Sequence, residues 1–322
     1  MDAIVTVAAV SPFGCVSTMV LLRALPKCES GRGTSEPVRD DSVCKVCFLS
    51  RGKQRGWSPA RTLCYVDSMA AEYLFCDNLA GSKEHLWAAW IHKRRDFGPL
   101  RVTIGNSPQE IRSDPEQKID TVCADCNNGW MSTLENRNKS VIACALEDLY
   151  IPLDRQQQTL LSNWAIKTAI VLDSIKNTEV NPRFYQKSDC VVFHRQRVLP
   201  PHVRIWIGRC SLSALGAFGT DVAIILPNGP RIGIGTATTI IVGHLAVQVF
   251  AMRFNPERSG DNTDVQPKPG DWNKMLVQLW PLAKDSVTWP PEVTFTNGGP
   301  RSIAFLMDRW RIGRAVPHTP RG

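Results

Sequence analysis

Four of the cysteines fall in two Cys-x-x-Cys pairs, Cys44/Cys47 and Cys123/Cys126, within a chain of 322 residues. Two thiolates at that spacing sit on one tight turn and aim at one tetrahedral ion. The pairs therefore predict a structural Zn2+ held by Cys44, Cys47, Cys123 and Cys126, with the backbone around each pair folded to suit the metal. The total of eleven cysteines is odd, which argues against a complete disulfide framework and for a reducing, cytoplasmic setting. The other thiols (Cys15, Cys28, Cys64, Cys76, Cys144, Cys190 and Cys210) are scattered, and most are expected to be buried small hydrophobes.

The chain is long enough for two domains, and 43% hydrophobic with 21% charged residues describes a globular protein. Half of the net charge of +8 sits at the end of the chain, on Arg301, Arg309, Arg311, Arg314 and Arg321 against Asp308. Such a tail suits a polyanionic partner through counterion release, and equally a solvated terminus. Residues 3–22 carry no charge and approach membrane-spanning length, but only Asp2 precedes them, so the basic start of a signal peptide is missing. Pro12 and Gly14 also interrupt the run. A loosely attached extension is expected there, and a membrane role is not.

Residues 1–40 read as this extension and a Gly/Ser/Glu/Arg-rich linker, expected to be disordered. Residues 41–145 form a cysteine-bounded module, and residues 146–322 a second, strand-rich region. Trp87, Ala88, Trp90 and Ile91 follow Glu84-His85 at helical spacing, predicting a short helix with that pair at or just before its start. Arg101–Ile104 predicts a strand, and Trp130, Met131, Leu134, Val141 and Ile142 predict a helix beginning at the second cysteine pair. Leu160–Ile175 predicts a further helix. Strands are expected at His202–Gly208, Val222–Leu226, Thr239–Phe254, Met275–Trp280 and Ser302–Met307. Gly233-Ile234-Gly235 lacks the context of a nucleotide-binding loop and reads as a turn or strand irregularity. The fold class expected is α+β.

The order Cys44-Lys-Val-Cys47, Ser82-Lys83-Glu84-His85 and Cys123-Ala-Asp-Cys126-Asn127-Asn128-Gly129-Trp130 resembles the HNH endonuclease superfamily in its treble-clef, four-cysteine form. The resemblance covers roughly residues 44–136, with a weaker echo at Asn163-Trp164-Ala165-Ile166-Lys167. It implies a zinc module pinning a β-hairpin to a helix and metal-dependent hydrolysis of DNA. Carried over by position, His85 becomes the general base that deprotonates the attacking water. Glu84 becomes a ligand of a catalytic divalent ion such as Mg2+ or Mn2+, and Asn127 the residue that steadies the hairpin through backbone hydrogen bonds. Glu135 is the expected last ligand, ahead of Asn128 and Asn136.

These types suit the chemistry. Phosphodiester hydrolysis needs charge neutralisation, which a divalent ion provides, and a base with a pKa near neutrality, which histidine has. Neighbours on a strand point to opposite sides, so Glu84 and His85 can serve one reaction only where the backbone bends. The sequence also departs from the pattern. The stretch from Cys47 to Glu84 is long and holds Cys64 and Cys76, Trp87 stands where proline is common, and the last ligand is not histidine. A catalytically inactive zinc module that binds DNA or a protein partner is therefore the alternative. Dimerisation or substrate selection is open to residues 146–322, and no small-molecule cofactor is expected. His92-Lys93-Arg94-Arg95 suits phosphate contact or a solvated helix end equally, whereas Trp130 and Trp164 read as core anchors.

Overall fold

The computed structural model describes residues 19–22, 73–78, 82–97, 100–103, 110–112, 118–176, 182–200, 202–225, 231–255, 263–267, 272–295 and 310–314. Cys44, Cys47 and the predicted strand Ser302–Met307 lie outside them. Met1–Leu25 and Ala70–Gly322 cluster into one compact unit. Its elements begin with strands β1 (Met19–Leu22) and β2 (Ser82–His85), helix α1 (Ala89–Arg94), and strands β3 (Leu100–Thr103), β4 (Glu110–Arg112) and β5 (Lys118–Val122). A single helical turn, α2 (Ala124–Cys126), passes through a π-helical turn, Asn127–Met131, into α3 (Ser132–Leu146). Then come β6 (Ile151–Asp154), α4 (Arg155–Asp173), α5 (Lys187–Gln196), β7 (Val203–Ile225) and β8 (Arg231–Phe254). The remainder is β9 (Thr263–Pro267), α6 (Trp272–Met275), β10 (Val277–Trp280), β11 (Ser286–Trp289), β12 (Thr294–Phe295) and β13 (Trp310–Arg314). The class is α+β, with mostly antiparallel pairing.

The β7–β8 hairpin is the spine. The separate strands expected over residues 202–226 merge into β7, because β8 pairs with it from Val203↔Ala251 to Ile225↔Arg231. Its other edge carries β10, β12 and β1 in turn, opposite Ile205–Ile207, Arg209–Cys210 and Ala217–Phe218. The last four residues of the uncharged N-terminal run are thus paired in a sheet, and β1 continues it to β3 and β4. Gly233-Ile-Gly235 lies inside β8 beside a register shift at Ile224/Ile225, the irregularity expected of it.

Side chains alternate across this hairpin and both faces are apolar, as in strands covered on each side. Ile205, Ile207, Ile240 and Val242 join the core under the helices, while Trp206, Phe218, Ile241 and Phe250 form a second cluster opposite. On β8 the inward residues change from even numbers (Ile240, Val242) to odd ones (Leu245, Val247, Val249) across a register shift, where residues 210–213 of β7 lie opposite His244 alone. Gly243 sits there at φ +64°, a left-handed conformation, and a Cβ on it would lie 2.7 Å from Leu146 Cα. The sequence needs glycine at that position so that the end of α3 can approach the sheet.

Helix α4 is buried nearly all round from Leu161 to Asp173 and fills the space between α3 and the hairpin. A capping box starts it: Asp154 Oδ1 accepts from Gln157 N at 2.8 Å, and Asp154 N donates back to Gln157 Oε1 at 3.0 Å. Asn138 of α3, fully buried, donates to the carbonyls of Leu134 and Leu160 and so joins the two helices. Trp164 is the core anchor expected of it, at 4% exposure. Among the described residues no helix is long and apolar enough to cross a membrane.

Candidate metal centre

Three thiols converge where β5 turns into α2. Cys123 caps the turn in extended geometry and accepts from Cys126 N at 3.3 Å. Cys76 Sγ lies 3.2 Å from Cys123 Sγ, and all three sulfurs, of Cys76, Cys123 and Cys126, fall within 4.8 Å of one another. A tetrahedral zinc with Zn–S bonds of about 2.3 Å sets sulfurs roughly 3.8 Å apart, so this trio fits one ion. Cys76 is therefore not one of the scattered hydrophobic thiols. Cys190 and Cys210 are, both buried and pushed up to about 12 by desolvation.

The electrostatics suit a cation. Burial raises Cys76 and pushes Cys126 up to about 12. Burial acts the same way on Cys123, but bonds from the Cys126 N–H and from the thiols of Cys76 and Cys126 bring it below its ordinary value. One thiolate is favoured and three are not, unless a metal balances them.

The loop carrying Cys76 is held from a distance. Leu74 N donates to Thr121 O at 3.2 Å, and Asn78 Nδ2 to Asp125 Oδ2 at 3.1 Å. From α5, Lys187 Nζ donates to the carbonyls of Tyr73 and Cys76, and His194 Nδ1 meets Phe75 O at 2.9 Å. Trp130, half-buried, packs its ring against Phe75, Phe193 and His194, with the Arg197 guanidinium 4.1 Å from its centroid. These contacts clamp the cysteine turn between the loop and α5.

Glu84 and His85 lie on strand β2, just before α1, which begins at Ala89. Strand β2 pairs with β5 in a register that shifts between Ser82 and Glu84, from Ser82↔Val122 to Glu84↔Ile119. The backbone irregularity that a Glu-His pair requires is thus beside it. Glu84 turns inward at 3% exposure, while Lys83 is exposed and His85 half-buried. Lys118, also exposed, is the register partner of His85. Asn127 Nδ2 donates to Ser82 Oγ and, at 3.5 Å, to Lys83 O, fastening the cysteine turn to β2.

Glu84 and Glu135 meet through a third residue. Lys167 Nζ, from α4, donates to Glu84 Oε1 at 3.0 Å and to Glu135 Oε1 at 2.9 Å. Burial raises the Glu84 carboxyl despite the attraction of Lys167. Burial alone would lower Lys167, but Glu135 and Glu84 outweigh it and the ammonium is held above its ordinary value. Both shifts favour keeping a proton, on the Glu84 carboxyl and on the Lys167 ammonium. As these side chains stand, a divalent ion does not fit the point between the two carboxylates, because the ammonium occupies it.

The expected residues Glu84, Glu135, Asn127, Cys123 and Cys126 are thus gathered in one region, with His85 beside them. Cys76, Lys167, Lys187 and His194 were missed. A lone cysteine gives no spacing signal, but Lys167 gave one: a charge between Ile166 and Ile170 in an apolar helix needs a buried partner. Of the basic run that ends α1, Arg94 Nε binds Glu147 at 3.0 Å and Arg95 Nη1 binds Leu146 O at 2.9 Å, so both tie α1 to the end of α3. No family model, curated protein or solved structure matches the chain.

Proposed function

We propose that this protein is an HNH-type, metal-dependent endonuclease acting on DNA, with a zinc-stabilised ββα arrangement built from β2, β5 and the α2–α3 segment. The observation that carries the reading is the bond from Asn127 back to β2. It sets the strand bearing Glu84-His85 against the cysteine turn and the helix bearing Glu135.

Zinc at Cys76, Cys123 and Cys126 fixes a turn too short to be fixed by packing alone. His85 takes a proton from the attacking water as the general base. Lys83 and Lys118 flank His85 and favour the approach of a phosphate backbone. Glu84 and Glu135 would hold a catalytic divalent ion only with the Lys167 ammonium out of the way, and such an ion would supply charge neutralisation at the phosphate.

Lys167 favours a second reading, a zinc module that binds DNA without cutting it, because its ammonium already stands between the two acids. Nicking of supercoiled plasmid with Mg2+ or Mn2+ separates the two. The nuclease reading expects nicking by the full chain and at least a hundredfold loss in His85→Ala with zinc content unchanged. Equal nicking by His85→Ala refutes the assigned mechanism, and DNA binding with no nicking at all supports the silent module.

A further inference from the structure

Lys167 enters the site from α4, far along the chain from either carboxylate, and its side chain is 1% exposed. An ammonium so buried is held only by charged partners, and here it has one oxygen from each of Glu84 and Glu135. The point about 3 Å from both oxygens is where a cation shared by the two acids sits. Divalent ions lie at about 2.0–2.6 Å from carboxylate oxygens, so an ion and the ammonium exclude each other there. Glu135, at 21% side-chain exposure, gives that point its side nearest solvent, whereas Glu84 is at 4%.

We propose that Lys167 is the tethered counter-cation of the Glu84–Glu135 pair, and that a divalent ion takes that position only when the ammonium is gone. The proposal deepens the reading of Glu84 and Glu135 as ion ligands and rests on it for the identity of the ion. Lys167 is on this account a positioning residue: it fixes two carboxylates and reaches no substrate.

Thermal unfolding of the full chain against MnCl2, with bound Mn2+ counted by electron paramagnetic resonance, tests it. Lys167→Met leaves two buried acids without a counter-charge, so its melting temperature falls in metal-free buffer. Mn2+ should restore it, with a half-effect at a concentration at least tenfold below any response of the wild type. Lys167→Arg keeps the cation and should show no added response, and Lys167→Met/Glu84→Gln should lose the rescue. The same Mn2+ dependence in Lys167→Met and wild type overturns the proposal. So does equal rescue of the double variant, or insolubility of Lys167→Met with and without Mn2+. Plasmid nicking is read separately: rescue without wild-type nicking sinks the nuclease reading alone, and nicking without rescue sinks this proposal alone.

Discussion

Asn127 shows how much of the site depends on single polar contacts. Its amide reaches Ser82 Oγ and Lys83 O, and its own N–H bonds Cys123 O at 3.0 Å, so one residue joins the cysteine turn to β2. Asn127→Ala removes the side-chain bonds and keeps the backbone one. A loss of about 1 kcal/mol is expected in the denaturant unfolding free energy, with zinc content unchanged. Nicking should fall more than stability does, since the strand carrying His85 loses its anchor. An Asn127→Ala protein as active as wild type would show that this bond does not position the site. Lys167 belongs to the same scale. Removing one partner of a buried ion pair costs about 3–5 kcal/mol, well above a surface pair such as Arg155–Asp285.

Helix α5 is the element that brings residues beyond 146 into the module, through Lys187 and His194. Burial lowers the His194 pKa from its ordinary 6.5, against the pull of the Phe75 carbonyl. The unfolded chain therefore takes up the proton before the folded one does. The stability tied to neutral His194 is full above the ordinary value and is lost as pH falls through it toward the lowered one. Melting temperatures should thus drop between about pH 7 and pH 5, and the drop should be smaller in His194→Phe, which keeps the packing on Trp130. An identical pH profile in both proteins would count against that role. At the same scale, α4 and the β7–β8 spine follow from residue pattern: a capping box, a largely apolar stretch, and alternation on two covered faces. Merging the separate strands into β7 needed the partner strand, because strand continuity is set by pairing that local sequence does not encode.

For the whole molecule, the sequence reading found the α+β class and named several of the residues gathered around the cysteine turn, but not the way they are held. Asn127 and Glu135 were legible because they closely follow Cys126, and Glu84 and His85 through the resemblance in the order of the motifs. Cys76 was not, because a loop whose carbonyls are held by Lys187 and His194 of α5 leaves no periodic trace. Lys167 was legible as a charge in an apolar helix, but its partners were not, because they lie on two other elements. The boundary drawn near residue 145 is crossed by Lys167, Lys187 and His194, each bonded to residues before it. Long-range polar contacts of this kind follow from the finished fold.

Zinc counted by native mass spectrometry in wild type, Cys76→Ser, Cys123→Ser, Cys44→Ser and Cys47→Ser tests the centre most directly. One zinc per wild-type chain, lost in Cys76→Ser and in Cys123→Ser, is the expected result, and the Cys44 and Cys47 variants identify any further thiolate ligand. Full zinc retention by Cys76→Ser would contradict the account.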